Sequence, residues 1–184
     1  MDQEERTLIQ QAQKRNIHAF ELLIKKYDQQ VLKLCFDFVH NQEDALDMAQ
    51  EIFIKLFHHI HRFNFRSEFS TWLYRVVINY CINYSKKKKR IAHQETILPE
   101  NHTCEALLKN PEEDFLNKEL SEKIQYAIEK LPAQQRTVFL LRHYHGHKLR
   151  EIAQIMQCTE GTVKNYLFRA TQKMQKLLKF YVDI

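Results

Sequence analysis

An all-α fold follows from three features of this 184-residue chain. Only two glycines and three prolines interrupt it, so few positions break a helix. Runs that alternate apolar and polar residues, the mark of a half-buried strand, are missing. Amphipathic runs with apolar residues three and four apart recur along the whole length. The length allows one large or two small helical domains.

Residues 4–25 supply apolar positions at helical spacing: Leu8, Ile9, Ala12, Ala19, Phe20, Leu22, Leu23 and Ile24. Asn16 interrupts or caps between two pieces. A second run, 27–39, uses Val31, Leu32, Leu34, Cys35 and Phe38. Both read as scaffold. In the third, Asn41 suits an N-cap, and Glu43 and Asp44 complement the positive end of the helix dipole. This helix, running to Phe57, should bury Ala45, Ala49, Ile52, Phe53, Leu56 and Ile60. A second stripe of Asp44, Asp47, Met48, Glu51 and Ile54 mixes acids with large apolar groups. Such a face suits a basic helical partner, and equally a solvated surface with two stray hydrophobes.

Residues 61–75, HRFNFRSEFSTWLYR, interleave aromatics with Arg, Asn and Ser. Residues 62–69 read as a loop and Ser70 as the N-cap of a helix to about Lys88. Aromatic faces stack unpaired bases and cations hold phosphates, though aromatic stripes are more often core. Trp72, Leu73 and Val76 are the first core candidates. Asn79 and Asn83, one turn apart, can read base edges. The run 86–90, KKKKR, continues their face and suits phosphate contact as well as a solvated helix end.

Periodicity lapses over 91–115, where Pro99 and Pro111 bracket NHTCEALLKN. That is expected to be a mostly flexible linker, with a short helical turn at 105–109. Helix resumes over about 112–130 with Phe115, Leu116, Leu120, Ile124, Ala127 and Ile128, and Leu131-Pro132 ends it. A further helix over 133–143 turns Val138, Phe139 and Leu141 inward, and Gly146 makes the next turn.

Residues 148–178, KLREIAQIMQCTEGTVKNYLFRATQKMQKLL, read as two helices across a tight turn. Leu149, Ile152, Ala153 and Met156 form one apolar face; Gln157 and Cys158 break the pattern; Thr159 is the N-cap. Val163, Leu167, Ala170, Met174 and Leu177 form the buried stripe of the second helix. Gly161, Thr162, Lys164, Asn165, Phe168 and Arg169 remain on its early outward face. Lys and Arg can donate to guanine, Asn can pair with adenine, and Gly161 lets backbone approach a phosphate. This is the pattern of a helix-turn-helix, although a packed helical hairpin has the same spacing.

Charge is segregated. Residues 1–90 carry 15 Lys+Arg against 11 Asp+Glu, residues 91–118 carry 2 against 6, and residues 119–184 carry 11 against 6. Two basic blocks flanking an acidic connector suggest two contacts with a polyanion. The four cysteines, at 35, 81, 104 and 158, contain no Cys-x-x-Cys pair, so reduced and mostly buried thiols are expected. With a polar N-terminus and no long apolar run, the chain is expected in the cytoplasm without membrane insertion. No nucleophile–base frame, Gly-rich phosphate loop or His-Glu-x-x-His frame occurs, so neither catalysis nor a cofactor is expected. His143, His145 and His147, or His58 and His61, leave a metal enzyme as a remote alternative. A transcription activator with a response-regulator output domain also fits Gly161-Thr-Val-Lys-Asn-Tyr, but it requires a strand-containing receiver before it.

Together these motifs resemble the bacterial RNA polymerase sigma factors of the extracytoplasmic-function group. Asp44, Ala45, Asp47, Gln50, Glu51 and Phe53 fit the family's Asp-Ala-x-Asp-x-x-Gln-Glu-x-Phe pattern. Residues 69–79 fit its −10 segment. Arg136-Thr-Val-Phe, Glu151-Ile-Ala, Gly161-Thr-Val-Lys164 and Arg169-Ala fit its −35 domain. Leu46, where the family often has Glu, and Asn165, where it has Ser, depart from the pattern. The second departure puts the −35 preference in doubt.

The resemblance implies three parts: residues 1–90 for polymerase binding and −10 melting, a linker over 91–114, and a −35 domain over 115–184. It assigns Asp44, Asp47, Met48, Gln50, Glu51 and Ile54 to core polymerase. Asn64, Phe65, Arg66, Ser67, Asn79, Asn83, Lys86, Lys87 and Arg90 would take the −10 strand. Lys148, Arg150, Gly161, Thr162, Lys164, Asn165, Phe168 and Arg169 would take −35 DNA. The implied partners are the β′ clamp helices and β flap of core polymerase, promoter DNA and an anti-sigma factor, with a monomer when free. The acidic linker would thread a basic polymerase channel.

Overall fold

The computed structural model describes residues 2–94 and 111–182, with side chains at 2–88 and 119–179. Among these residues the regular structure is helical: α1 Gln3–Gln13, α2 Ile17–Lys25, α3 Asp28–Val39, α4 Gln42–His59, α5 Phe69–Gln94, α6 Pro111–Glu129, α7 Ala133–His143, α8 Leu149–Met156 and α9 Glu160–Val182. A 3-10 turn, Ile60–Arg62, follows α4. The chain divides into two compact units, Met1–His102 and Thr103–Ile184.

In the first unit the punctuation is set by side chains that compete with helix. Asn16 caps α2 by accepting the Ala19 amide at 3.0 Å, and Asn41 caps α4 by accepting the Asp44 amide at 2.9 Å. Asp2 does the same for α1 through the Glu5 amide. His40 ends α3 in a left-handed conformation. The core is a continuous apolar cluster of Ile9, Leu23, Leu34, Ile52, Leu56, Leu73 and Val77, each fully buried. Helices α3 and α4 pack together, and α5 covers both. Leu22 is an exception to the expected stripe and is exposed.

The aromatic helix starts one residue earlier than its expected cap. Phe69 is already helical, so Ser70 lies in the first turn, and the Trp72 amide bonds the Glu68 carbonyl. Leu73 is buried as expected, whereas Trp72 and Val76 are half-buried. The buried face instead uses Tyr74, Val77, Ile78, Cys81 and Ile82. This helix runs on to Gln94, and α6 opens on Pro111. Proline suits a first helical position because its missing N–H would have no partner there. The expected linker span 91–114 is therefore helical at both edges. Residues 95–110, which carry the expected turn at 105–109, lie outside the described residues.

The second unit packs α9 against α6, α7 and α8. Val163, Ala170 and Met174 are buried on α9, with Leu167 and Leu177 half-buried along the same stripe. The other helices packed on α9 bury Ala127, Ile128, Leu131, Val138, Leu140, Leu141, Ile152 and Ile155. Phe139 is only half-buried and Leu140 takes its expected place. Leu120 is exposed rather than core. Gly146, at φ +69°, makes the turn before α8.

Candidate polymerase and promoter surfaces

Local hydrogen bonds set both ends of α8 and the start of α9. The Glu151 carboxylate accepts the Lys148 amide at 3.1 Å and faces His147 Nδ1 at 3.2 Å, closing the N-terminus of α8. The backbone bond, joined by His147, holds the Glu151 carboxyl below the usual carboxylate range. Gln157 turns left-handed at φ +54°, and the Cys158 amide returns to the Ala153 carbonyl. Thr159 then caps α9, its hydroxyl accepting the Thr162 amide at 3.2 Å.

This geometry leaves Gly161, Lys164, Asn165, Phe168 and Arg169 exposed on the first turns of α9, with Lys148 and Arg150 exposed at the start of α8. Phe168 is 62 % exposed, a large apolar ring turned mostly to solvent. Thr162 is half-buried and its hydroxyl lies 3.0 Å from that of Thr159, so it serves the cap more than the outer face. A Cβ on Gly161 would meet only the Thr159 hydroxyl oxygen, at 3.7 Å. The fold therefore does not require glycine there; it leaves open surface at the N-terminus of a helix.

In the first unit, α4 presents Asp47, Gln50, Glu51 and Ile54 outward, Ile54 being 59 % exposed. Leu46, 42 % exposed, shares this surface. Asp44 is half-buried at the near end. Met48 does not belong here. It is 2 % exposed, with its sulfur 3.6 Å from the Cys81 thiol of α5. A stripe spaced at three and four is wide enough to wrap from the acidic face into the core, and periodicity alone misplaces its inner edge.

The side of α5 toward α4 adds Tyr80 and Tyr84, which carry no expectation from the sequence, to Lys88 of the basic run. Tyr80, Tyr84 and Lys88 repeat every four residues. The Tyr80 hydroxyl donates to Glu51 at 3.4 Å, and Lys55 lies 4.1 Å above its ring. Tyr84 bonds Asp44, and Lys88 reaches the same carboxylate at 3.8 Å. Burial first, then these acids, push both tyrosine hydroxyls up from their ordinary values. The fourfold spacing was the available signal. Asn79, Asn83, Lys86 and Lys87 are exposed on α5; the Arg90 side chain lies outside the described residues.

The loop before α5 divides the aromatic set. Phe63 and Phe69 are core, their rings edge-to-face at 5.5 Å. Trp72 packs on both and stays half-buried. Phe65, also half-buried, has its ring 5.0 Å from that of Phe63 and tilted 58° to it, and has φ +60°. A non-glycine residue in that region costs about 1 kcal/mol, so the surroundings must hold it. The Asn64 side chain contributes by accepting the Arg66 amide at 3.2 Å. Asn64 and Arg66 are exposed and Ser67 half-buried.

Cys35, Cys81 and Cys158 are free thiols; Cys104 lies outside the described residues. Among the described residues no group of three His, Cys, Asp or Glu could hold a metal ion. Nor is any described helix long and apolar enough to cross a membrane.

The sequence matches the family model for Sigma-70 region 2 over residues 23–91 and that for Sigma-70 region 4 over residues 121–174. It is 33 % identical to the RNA polymerase sigma-H factor of Pseudomonas aeruginosa, covering 96 % of this chain and 95 % of that protein. It is 35 % identical to the ECF RNA polymerase sigma-E factor of Escherichia coli K12, covering 95 % and 96 %. The fold is similar to CnrH in its complex with the cytosolic domain of CnrY, with TM-score 0.66, 20 % identity and coverage of 96 % and 97 %. It is also similar to the sigma factor RpoE of Bartonella quintana, solved with the anti-sigma factor NepR, with TM-score 0.67, 21 % identity and coverage of 90 % and 98 %. Among the described residues of the first unit there is no strand, which removes the receiver domain that a response-regulator activator needs. The chain belongs to the ECF RNA polymerase sigma factors, initiation factors that bind core polymerase and direct it to promoters.

Proposed function

We propose a division of labour in which residues 1–90 bind core polymerase and open the −10 element, and residues 115–184 read the −35 element. The observation that carries this reading is that each surface is spared by the fold: Asp47, Gln50, Glu51 and Ile54 on α4, and Lys164, Asn165, Phe168 and Arg169 on α9, are exposed and serve no core. On α4 the acids meet basic groups of a polymerase helix, here the β′ clamp helices, while Ile54 and Leu46 add apolar contact. Met48 supports this helix from inside.

On α9 the cationic and amide side chains read base edges in the major groove, with Lys148 and Arg150 on phosphates. The second unit engages the β flap of polymerase. Phe65 stacks an unpaired −10 base, Asn79 and Asn83 read others, and Lys86, Lys87 and Arg90 hold the strand. The acidic residues between the units thread a basic channel and leave as RNA grows. The protein works in the cytoplasm, as a monomer when free, and does no chemistry of its own. An anti-sigma partner, like those bound to the solved relatives, restrains it.

Reconstitution with core polymerase followed by mapping of transcription start sites tests the reading. Stable core binding with starts at a defined −35/−10 pair is expected. Failure to bind core defeats it.

A further inference from the structure

Helix α1 precedes the residues matched by the region 2 model, which begin at position 23, and the sequence alone gives it only a scaffold role. Its contacts indicate a more specific one. Gln13 extends its side-chain amide across to the loop before α5 and donates from Nε2 to the Phe63 carbonyl at 2.7 Å and the Ile60 carbonyl at 3.1 Å. Seven residues earlier, on the same face of α1, the Arg6 guanidinium lies 5.2 Å from the centre of the Phe65 ring. One residue of α1 thus fixes the backbone leading into Phe65, and another occupies a face of its ring.

We infer that Gln13 and Arg6 are positioning residues for the −10 base-capture loop, holding Phe65 in its left-handed conformation ready to stack an unpaired base. The inference rests on the assignment of that loop to −10 capture. The physical reason is preorganisation. Phe65 has an unfavourable backbone conformation, and nothing within residues 64–67 other than the Asn64–Arg66 bond holds it locally among the hydrogen bonds above. Without Gln13 the loop samples other conformations, and binding a base must then meet the cost of ordering it. Arg6 acts on the ring itself: its guanidinium 5.2 Å from the ring centre steadies the half-exposed ring and adds positive charge beside the strand.

The test uses the reconstituted holoenzyme and a single-stranded DNA carrying the −10 non-template sequence mapped for this factor. Phe65→Ala is the control for the loop assignment. If it leaves strand affinity unchanged, the assignment fails, whatever α1 does. If it weakens binding, Gln13→Leu, which keeps the bulk but removes both donors, is expected to weaken it by roughly tenfold. Arg6→Ala is expected to weaken it by roughly threefold, with Arg6→Lys recovering part of the loss. Core affinity should stay within about twofold for Gln13→Leu, Arg6→Ala and Arg6→Lys, because their contacts to the loop do not touch the polymerase face.

Trp72, the single tryptophan, packs 5.6 Å from Phe63 and gives a spectroscopic readout. Its emission should shift in Gln13→Leu and become more accessible to a neutral quencher. Should Phe65→Ala weaken strand binding while Gln13→Leu and Arg6→Ala bind as wild type, the inference is overturned. Equal losses of core and strand affinity would also overturn it, by showing a merely structural role. If Gln13→Leu does not fold, the exposed Arg6→Ala, with its lysine rescue, decides the matter.

Discussion

Lys88 Nζ stands 3.8 Å from the Asp44 carboxylate, which also takes the Tyr84 hydroxyl. At this point the helix proposed to dock polymerase and the helix proposed to hold the −10 strand share one carboxylate, beside the Tyr80–Glu51 bond one turn away. Both side chains of the ion pair are substantially exposed, so the pair itself contributes little stability, at most about 1 kcal/mol. Lys88 remains available to exchange Asp44 for a phosphate. In Lys88→Gln, the dependence of log promoter affinity on log salt should become shallower by about 0.7–0.9. Titrations of holoenzyme on promoter DNA at several salt concentrations measure it. An unchanged slope would mean that Lys88 stays with Asp44 in the complex.

Neighbouring residues on α4 should separate docking from folding. Asp47 is exposed and Met48 is buried. Asp47→Lys reverses a charge at the surface, so core affinity should fall while stability changes by no more than about 0.5 kcal/mol. Met48→Ala leaves a cavity beside Cys81 and should cost about 2–5 kcal/mol of stability. Core-binding titration paired with thermal unfolding checks both. Similar stability losses in the two variants would place Asp47 in a structural role.

On α9, Arg169→Ala should remove about 1–3 kcal/mol of −35 discrimination and leave core binding intact. Transcription from matched promoters with and without the −35 element is the measurement. The wild-type preference for the −35 promoter should collapse in the variant. The same preference in both proteins would exclude Arg169 from reading.

Gly161→Ala makes a complementary case. Its added Cβ meets nothing closer than 3.7 Å, and alanine is the better helix former by up to about 1 kcal/mol. The variant should fold as well as wild type or better, yet lose −35 affinity, because the methyl group faces the approaching backbone phosphate. Thermal unfolding beside duplex binding gives both halves. Unaltered DNA affinity would show that the phosphate does not approach there.

The α8 cap should respond to acid. The Lys148 amide, and after it His147, depress the Glu151 carboxyl, against an opposing contribution from burial. A folded value below the unfolded value of about 4.3 means the contribution is complete above the unfolded value and vanishes as pH falls through the folded one. At pH 7 Glu151→Ala should lower stability by about 0.3–1.5 kcal/mol. The gap between wild type and variant should narrow as pH falls below the unfolded value and through the lower folded one. A gap that persists unchanged at pH 3 would show that the cap does not depend on ionised Glu151.

Much of the secondary structure was determined by sequence alone, because its causes are local. Asn16, Asn41 and Thr159 announce caps by their own chemistry, and the 3.6-residue period exposes the buried stripes of α4 and α9. The outward face of α9 was legible because little but charge, amide and one ring is left after the stripe is removed. What the sequence could not determine lies between elements. Met48 fits both stripes of α4, and only the packing of α5, which brings Cys81 to 3.6 Å, draws it inward. Phe63 and Phe65 look alike in sequence, yet one is core and the other stands half-open in a left-handed turn. Gln13 is an unremarked polar residue until the chain returns 47 and 50 residues later to give it two carbonyls. Periodicity records how one helix divides its surface; which part of that surface meets another element is decided by tertiary packing, because burial and hydrogen-bond satisfaction depend on partners far away in the chain.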